Sequence, residues 1–332
     1  MGSQLVLTRE QILGFRRRVG ALDARLPAGD ASLRQAAWAG LQDSMPRAAV
    51  LSIHARVEGA GPSSWEDPAF VQIWGPRYSA YVVAAEDVAV FTLGRLPDDA
   101  KGRKRAEGAA ARLHAELNGM PLPGDEHVYS VRYGATTGRI LIRWDGARRP
   151  IAWTVPAPDL DPADAQRELA RRYLHVFGPS TPVAFSVWAG ISKRAAAATF
   201  GSLDGELVTA HTPIGIGWLL ASDEEAFRAE PGRAAPVRLL PSGDSYYLLQ
   251  GDDRALLVPD AARRGELWTS RVWPGAVLLE GEIRGVWRRA EATVTVDSWD
   301  VFSAADREAV EAEAASLPIP GVEGQIQVRW SS

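Results

Sequence analysis

Two short helical stretches joined by a glycine-containing turn constrain this chain most. The composition of residues 182–188 and 192–203 favours helices, and Ala-Gly-Ile at 189–191 separates them, a spacing typical of a helix-turn-helix. Residues 207–212 and 217–220 then have the composition of strands. Two helices followed by two strands predict a winged helix, in which a β-hairpin wing follows the helix-turn-helix.

The N-terminal part shows the same order of elements. Thr8, with Gln11 three residues on, predicts the capped start of a helix that ends near Arg18. A second helix is predicted over residues 32–41, and residues 48–57 form a third helix or a buried segment. Because the following β-rich stretch at 71–83 is interrupted by Gly-Pro, it predicts two strands with a corner.

The remaining segments predict β-structure with flanking helices. Residues 128–153 carry alternating apolar side chains around a Thr-Thr-Gly turn, which predicts a β-hairpin, and a helix is expected before it, ending at Leu117. Residues 237–301 predict short strands and turns, with strands at 248–249 and 256–258 among them. A helix over 303–316 follows.

Proline spacing predicts where the units meet. Pro156, Pro158 and Pro162 indicate a linker, so a boundary is expected near residue 155. The predicted units are a first winged helix with an inserted helix and hairpin at 1–154, a second at 155–235, and a C-terminal winged-helix or barrel-like β-rich unit at 236–332. The predicted class is α+β, made of tandem winged-helix units.

Composition excludes several kinds of site. The chain has no cysteine, which removes disulfides, thiolate catalysis and cysteine-bound zinc. Its five histidines contain no pair at i, i+4 spacing, so we expect no metal and no cofactor. The absence of an apolar run of about 20 residues predicts that the chain does not cross a membrane. We see no secretory signal at the N-terminus and therefore expect a cytoplasmic protein; we also expect a monomer.

The charge balance bears on nucleic-acid binding. With 37 basic and 41 acidic residues the net charge is −4, which argues against a protein that coats DNA non-specifically but leaves room for a local basic stripe. Only Lys101, Lys104 and Lys193 are lysines, so arginine supplies nearly all of the positive charge. The planar guanidinium suits phosphates, although G+C-rich codons alone also explain this enrichment.

Several stretches, in their order and spacing, resemble the bacterial winged-helix DNA-binding proteins that include the AlkZ and YcaQ DNA glycosylases. The resemblance covers nearly the whole chain. It is carried by Gly40 to Arg47 with the alanine-rich segment to Arg56, Trp74 to Arg77 through Asp87, Tyr173 to Pro179 through Gly190, Val237 to Pro241, Asp244, and Gly285 to Arg289.

The resemblance implies tandem winged helices around a concave, DNA-sized channel, and excision of alkylated or crosslinked purines. The family's catalytic element, Gln, any residue, then Gln or Asp, falls on Gln42-Asp43-Ser44, with serine in the second position. A second departure is Arg-Tyr-Ser-Ala-Tyr at 77–81, where the family shows Arg-Gly-Thr-Leu-His. A non-enzymatic DNA-binding regulator or damage-recognition protein is therefore the alternative, and a repurposed fold that binds a small molecule or a protein is a third.

The catalytic candidates follow from the chemistry of an alkylated purine. Because N7-alkylated purines leave readily, hydrolysis needs mainly a positioned water. An extended backbone before the proline at 46 places Gln42 and Ser44 on one side and Asp43 on the other, so that the Gln42 carbonyl holds the water and Ser44 assists. A local turn would instead bring the Asp43 carboxylate inward, and a purely structural interpretation makes Asp43 and Ser44 caps of the next helix.

The DNA-binding candidates are arginines, exposed aromatic residues and the start of the predicted recognition helix. Arginines bind phosphates or form structural ion pairs, aromatic rings stack on bases, and a helix N-terminus favours a phosphate. The candidates are Arg47, Arg77, Tyr78, Tyr81, Arg132, Arg139, Ser192, Lys193 and Arg194.

Overall fold

The computed structural model describes residues 5–45, 47–117, 122–123, 128–144, 150–322 and 324–331. The helices are α1 (Arg9–Val19), α2 (Asp30–Ala36), α3 (Ala48–Arg56), α4 (Val88–Leu93), α5 (Ala100–Leu117), α6 (Val128–Gly134), α7 (Pro162–Phe177), α8 (Pro182–Ala189), α9 (Lys193–Ser202), α10 (Glu224–Arg228), α11 (Asp253–Leu257), α12 (Ala261–Leu267) and α13 (Ala304–Ala315).

The strands build three sheets. They are β1 (Leu5–Val6), β2 (Leu41–Gln42), β3 (Phe70–Gly75), β4 (Ser79–Ala84), β5 (Leu122–Pro123), β6 (Ile140–Arg143), β7 (Ile151–Thr154), β8 (Leu207–Thr212), β9 (Gly215–Leu220), β10 (Val237–Leu240), β11 (Gly275–Leu279), β12 (Glu282–Ala290), β13 (Thr293–Ser298) and β14 (Gln327–Trp330). The strand orders are β2-β4-β3-β6-β7-β5, β1-β8-β9 and β10-β11-β12-β13-β14. This α+β architecture confirms the predicted class.

The helix-turn-helix and its wing are confirmed. Thr181 caps α8 and Ser192 caps α9, each by accepting a hydrogen bond from a backbone N–H of the first turn. Gly190 ends α8 in the left-handed region at φ 74°, which explains the glycine in the turn. β8 and β9 then pair as an antiparallel hairpin from Leu207 opposite Leu220 to Thr212 opposite Gly215.

The first helices are confirmed in outline. Thr8 and Gln11 form a reciprocal capping box at the start of α1, as their spacing predicts. The second predicted helix is shorter than expected and ends at Ala36. Gly40, at φ 70°, then turns the chain so that β2 joins the sheet beside β4, with Gln42 opposite Tyr81. The catalytic candidates therefore start at the end of a strand.

The hairpin predicted over residues 128–153 is wrong in its first half. That segment forms α6 and a short 3-10 turn, and only β6 and β7 pair as antiparallel strands. Buried Val131 and Gly134 face α5, and a side chain at Gly134 would collide with the backbone of Ala110. Packing against α5 thus overrides the β-propensity of the alternating aromatic residues.

The C-terminal prediction is correct for the sheet and for the last helix, which Ser303 and Asp306 cap reciprocally. The strands predicted at 248–249 and 256–258 are wrong. A 3-10 turn at Ser245–Tyr247 precedes the first run, and α11 takes up most of the second. Both apolar runs are buried, as they would be in a strand. A run of two or three apolar residues is too short to distinguish a buried strand from a buried helix.

The largest core cluster joins side chains from all three predicted units, among them Tyr81, Tyr173 and Tyr247. A buried ion pair also crosses between them, because Arg56 of α3 binds Asp244, which follows β10, at 2.7 Å. No helix in the described part of the chain is long and apolar enough to cross a membrane. The shared core holds α3 and the C-terminal sheet against each other at the candidate site.

Candidate functional site

Gln42 and Ser44 lie side by side where β2 ends. The amide Nε2 of Gln42 donates a hydrogen bond to Ser44 Oγ at 2.7 Å, and both residues are half-buried. This is the arrangement expected for an extended segment, in which side chains two residues apart face the same way. The serine hydroxyl thus fixes the orientation of the glutamine amide.

Asp43 points to the opposite side and is buried. Its Oδ1 accepts from the backbone N–H of Ala49 at 3.0 Å, and its Oδ2 accepts from Gln72 Nε2 at 2.8 Å, with Arg47 at 3.5 Å. Burial raises the pKa of Asp43 to about 7, against the lowering effect of these partners. The structure bears out the capping interpretation of Asp43 and contradicts the inward turn that would expose its carboxylate.

A loop from the C-terminal region closes against Gln42. Gly243 has φ 76°, and a Cβ on it would lie 2.8 Å from Gln42 Nε2, so only glycine fits without displacing the glutamine. The next residue, Asp244, anchors the loop because its carboxylate accepts from both terminal nitrogens of Arg56 and from Ser52 Oγ, each at 2.7 Å. Gln42 is therefore held from two sides, by Ser44 and by this loop.

The carbonyl oxygen of Gln42 has no partner. Oε1 is buried and accepts no hydrogen bond from the described residues. An unsatisfied buried acceptor costs about 1–3 kcal/mol, and a donor that reaches it recovers that energy. Oε1 of Gln42 is therefore an acceptor to which a further donor at this site would bond.

A cavity of about 230 Å³ opens beside this segment, between the start of α3 and the C-terminal sheet. Two arginines and no carboxylate are among the residues around it. They are Met45, Ala48, Leu51, Pro241, Ser242, Val272, Trp273, Pro274, Gly275, Trp287, Arg288 and Arg289. The cavity is thus apolar and aromatic with a positive rim, which suits a nucleic-acid strand better than a cationic ligand.

A strained turn lies between β3 and β4. Arg77 and Tyr78 both have positive φ, at 56° and 54°. Arg77 is half-buried, its Nε has no hydrogen-bond partner among the described residues, and its guanidinium carbon lies 5.1 Å from the ring centroid of Trp273. Burial lowers the pKa of Arg77. Backbone strain of this kind persists where the surrounding structure holds a functional group in place.

Tyr78 is exposed, whereas Tyr81 is not. The hydroxyl of Tyr78 donates to the carbonyl of Gly190 at 3.1 Å, and Arg132 lies 4.6 Å from its ring, so Tyr78 and Arg132 come together next to the helix-turn-helix. Tyr81 is fully buried in the main core. The expectation that Tyr81 stacks on a base is therefore wrong for this structure, because its inward position in β4 leaves no ring face open.

The other DNA-binding candidates lie in three places. Arg47 stacks on Trp65, with its guanidinium carbon 3.6 Å from the ring centroid. Arg139 precedes β6, not a hairpin tip, and is half-buried. At the start of α9, Lys193 is exposed and Arg194 pairs with Asp98 at 2.6 Å, with 79% of its side chain accessible.

Sequence reasoning missed several residues of the site. Gly243, Ser242 and Trp273 were not among its candidates, and neither were Arg254, Arg288 and Arg289. The Pro-Ser-Gly-Asp run at 241–244 is a turn signature that marks the loop, but nothing in it indicates contact with Gln42. Among the described residues, no group of three or more histidine, aspartate or glutamate side chains is placed to hold a metal ion.

Comparisons with known proteins identify the family of this chain. The family model described as DNA glycosylase AlkZ-like matches residues 130–318, more than half of the chain. An interstrand DNA cross-link repair glycosylase from Streptomyces sahachiroi is 25% identical over 236 residues, 60% of this chain and 62% of that protein, so the match spans less than two thirds of the relative.

A solved structure extends the comparison to the whole fold. The Streptomyces sahachiroi DNA glycosylase AlkZ superposes with a TM-score of 0.77 at 17% identity, covering 98% of this chain and 100% of that one. At this identity the likeness is one of fold, and it includes the N-terminal segment that the family model leaves out. The chain belongs to the AlkZ-like DNA glycosylase family.

Proposed function

We propose that the protein hydrolyses the N-glycosidic bond of alkylated purines in duplex DNA, with Gln42 positioning the attacking water. The observation that carries this proposal is the buried, unpartnered Oε1 of Gln42, whose amide nitrogen is fixed by Ser44. An acceptor held in one orientation and lacking a donor is what a positioned water requires.

The chemistry needs no strong acid. An N7-alkylated purine is cationic, and when its bond to C1′ breaks, the bonding electrons neutralise the leaving base. Water then forms the new bond to C1′ and loses a proton to solvent, since an amide carbonyl accepts a hydrogen bond but does not take up the proton. Gln42 thus orients the nucleophile and the substrate supplies its own leaving group.

The surroundings of the site support a DNA substrate. Arg288 and Arg289 line the cavity beside the Gln42 segment, Arg77 packs on Trp273 in its wall, and Tyr78 and Arg132 form a second basic and aromatic contact. Lys193 and Arg194 at the start of α9 extend the proposed contact surface onto the helix-turn-helix. The similarity to the interstrand DNA cross-link repair glycosylase of Streptomyces sahachiroi supports the further proposal that crosslinked purines are substrates.

Release of base from a duplex containing N7-methylguanine tests this function. The wild-type protein is expected to release the base, and Gln42→Ala to lower the single-turnover rate by about 10²–10³-fold with duplex affinity unchanged. Gln327→Ala, at an exposed glutamine of β14, is the matched control and is expected to act like wild type.

Two outcomes contradict parts of the proposal. If the wild-type protein binds duplex DNA and releases no base, the protein is a non-enzymatic DNA-binding member of the family. If Gln42→Ala keeps the wild-type rate, the catalytic assignment is wrong although the activity stands.

A further inference from the structure

Two arginines near the candidate site lack a counter-charge. Several buried arginines elsewhere form ion pairs, as Arg56 does with Asp244 and Arg172 does with Asp87, both at 2.7 Å, whereas Arg95 and Arg238 donate hydrogen bonds to backbone carbonyls. Arg77 and Arg254 form no ion pair with any carboxylate of the described residues. A guanidinium group that is partly removed from water and has no carboxylate partner is electrostatically unfavourable. An anionic ligand bound beside it supplies the missing counter-charge.

Both of these arginines lie against one tryptophan. The guanidinium carbon of Arg77 is 5.1 Å from the ring centroid of Trp273, and that of Arg254 is 5.5 Å from it. Arg254 also lies 5.0 Å from the ring of Trp268. Trp273 is at the same time part of the wall of the cavity beside Gln42. Trp273 therefore connects both cations, which come from distant parts of the chain, to the wall of this cavity, although Arg254 itself lines a separate cavity with Arg264.

The hydrogen-bonding capacity of the two side chains is largely unused. Nε of Arg77 is buried without a partner, and the only side-chain hydrogen bond of Arg254 in the described structure runs from Nε to the carbonyl of Leu249 at 3.2 Å. Burial lowers the pKa of both groups, and the charge of Arg77 lowers the pKa of Arg254 further. Two cations that repel each other are stabilised when an anion binds between them.

We infer that Arg77 and Arg254 together bind one backbone phosphate of the DNA strand next to the base on which Gln42 acts, against the ring of Trp273. This inference rests on the proposed function and specifies one contact between the protein and its DNA substrate. A phosphate matches the guanidinium fork and accepts from both arginines at once. Asp252, a neighbouring acid, faces a different cavity with Arg254 and Arg264 and forms no ion pair with either.

The salt dependence of duplex binding tests the site. The equilibrium constant for a fluorescent undamaged duplex is measured from 50 to 200 mM KCl, conditions in which each phosphate contact contributes about 0.9 to the log–log slope. Arg77→Gln and Arg254→Gln are each expected to weaken binding about tenfold. Because both side chains bind one phosphate, the double variant is expected to reduce the slope by about 1, not 2.

An arginine that stacks on a distant tryptophan provides the control. Arg307 lies 4.7 Å from the ring of Trp330 on the edge strand β14, so Arg307→Gln removes the same type of contact and is expected to bind as wild type does. A neutral methylphosphonate, moved one phosphate at a time around the lesion, is expected to identify one position at which Arg254→Gln has no further effect.

The outcomes separate this site from the proposed function. Wild-type binding with unchanged affinity and slope in Arg254→Gln, or a slope loss of about 2 in the double variant, overturns the shared phosphate. If wild-type protein binds no duplex at any salt concentration, the proposed function fails and the phosphate site fails with it. Since Arg77 is half-buried, thermal unfolding of each variant confirms that it is folded before binding is measured.

Discussion

Two faces of one short segment, residues 42–44, differ in how completely their polar groups are satisfied. On one face Asp43 accepts from Ala49 and Gln72, and it caps the start of α3. On the other face the amide nitrogen of Gln42 donates to Ser44, and its oxygen has no partner among the residues that the structure describes. The contrast indicates that the first face stabilises the fold, whereas the second is open to chemistry.

Under the proposed function, the comparison also gives a role to the serine in the second position of the motif. Ser44 lies next to Gln42 and fixes its amide, so the smaller residue keeps the orienting role of a polar partner. Asp43, the only carboxylate of the motif, is engaged elsewhere. Variants on the two faces should therefore separate stability from rate, with expected effects that decrease in the following order.

Asp43→Ala is expected to have the largest effect, on stability. It removes the cap of α3 and leaves the buried Gln72 amide without its carboxylate acceptor, which together lower the free energy of unfolding by about 2–4 kcal/mol. Urea denaturation at pH 7 measures this loss. Asp43→Asn, which keeps one oxygen acceptor, is the control and should lose less. An Asp43→Ala protein as stable as wild type would remove the contrast between the faces.

Gly243→Ala is expected to slow base release about ten- to a hundredfold, because the added Cβ displaces the Gln42 amide. Gly321→Ala is a matched control, since Gly321 has φ 74° and nothing lies near the position of its Cβ. Both variants carry the same left-handed backbone strain, so Gly321→Ala measures the stability lost to that strain alone, and only Gly243→Ala should lose rate. If Gly243→Ala also slows a Gln42→Ala protein, it does not act through Gln42.

Ser44→Ala is expected to lower the rate of base release about fivefold, the effect of one lost hydrogen bond that orients the amide. Single-turnover kinetics on the N7-methylguanine duplex measure it. Ser44→Thr keeps the hydroxyl and should restore most of the rate. Equal rates for wild type and Ser44→Ala would show that Gln42 does not need this partner.

Within one pH unit around neutrality, the change of stability with pH gives the smallest expected effect. Burial raises the pKa of Asp43 to about 7 in the folded protein, from its ordinary value of 3.8. The folded state therefore binds more protons between these values, and wild type should lose stability relative to Asp43→Asn as the pH rises from about 4 to about 7. Between pH 6.5 and 7.5 the difference should change by about 1 kcal/mol or less. A difference that grows in the opposite direction contradicts the raised pKa.

Local patterns predicted much of the fold. The capping box of Thr8 and Gln11, the glycine turn at Gly190 and the capping box at Ser303 depend on neighbours along the chain, and all three are confirmed. The alternation of side chains placed Gln42 and Ser44 together before any tertiary contact was known. Each of these features depends only on residues that are close together in the sequence.

The errors occur where distant parts of the chain decide the structure. Packing on α5 makes residues 128–134 helical, and the shared core takes Tyr81 out of the proposed DNA surface. Gly243 meets Gln42 only through a contact about two hundred positions apart, which no local pattern encodes. The fold class could be predicted from the sequence, whereas the residues that surround Gln42 could not.

The buried pair of Arg56 and Asp244 also has a consequence for biosynthesis. Its partners are 188 positions apart, so Arg56 leaves the ribosome long before Asp244 is made. Until then α3 carries an uncompensated charge, and the loop that supports Gln42 is absent. A chain released prematurely therefore lacks the complete site, and under the proposed function an unfinished copy should not excise bases from DNA.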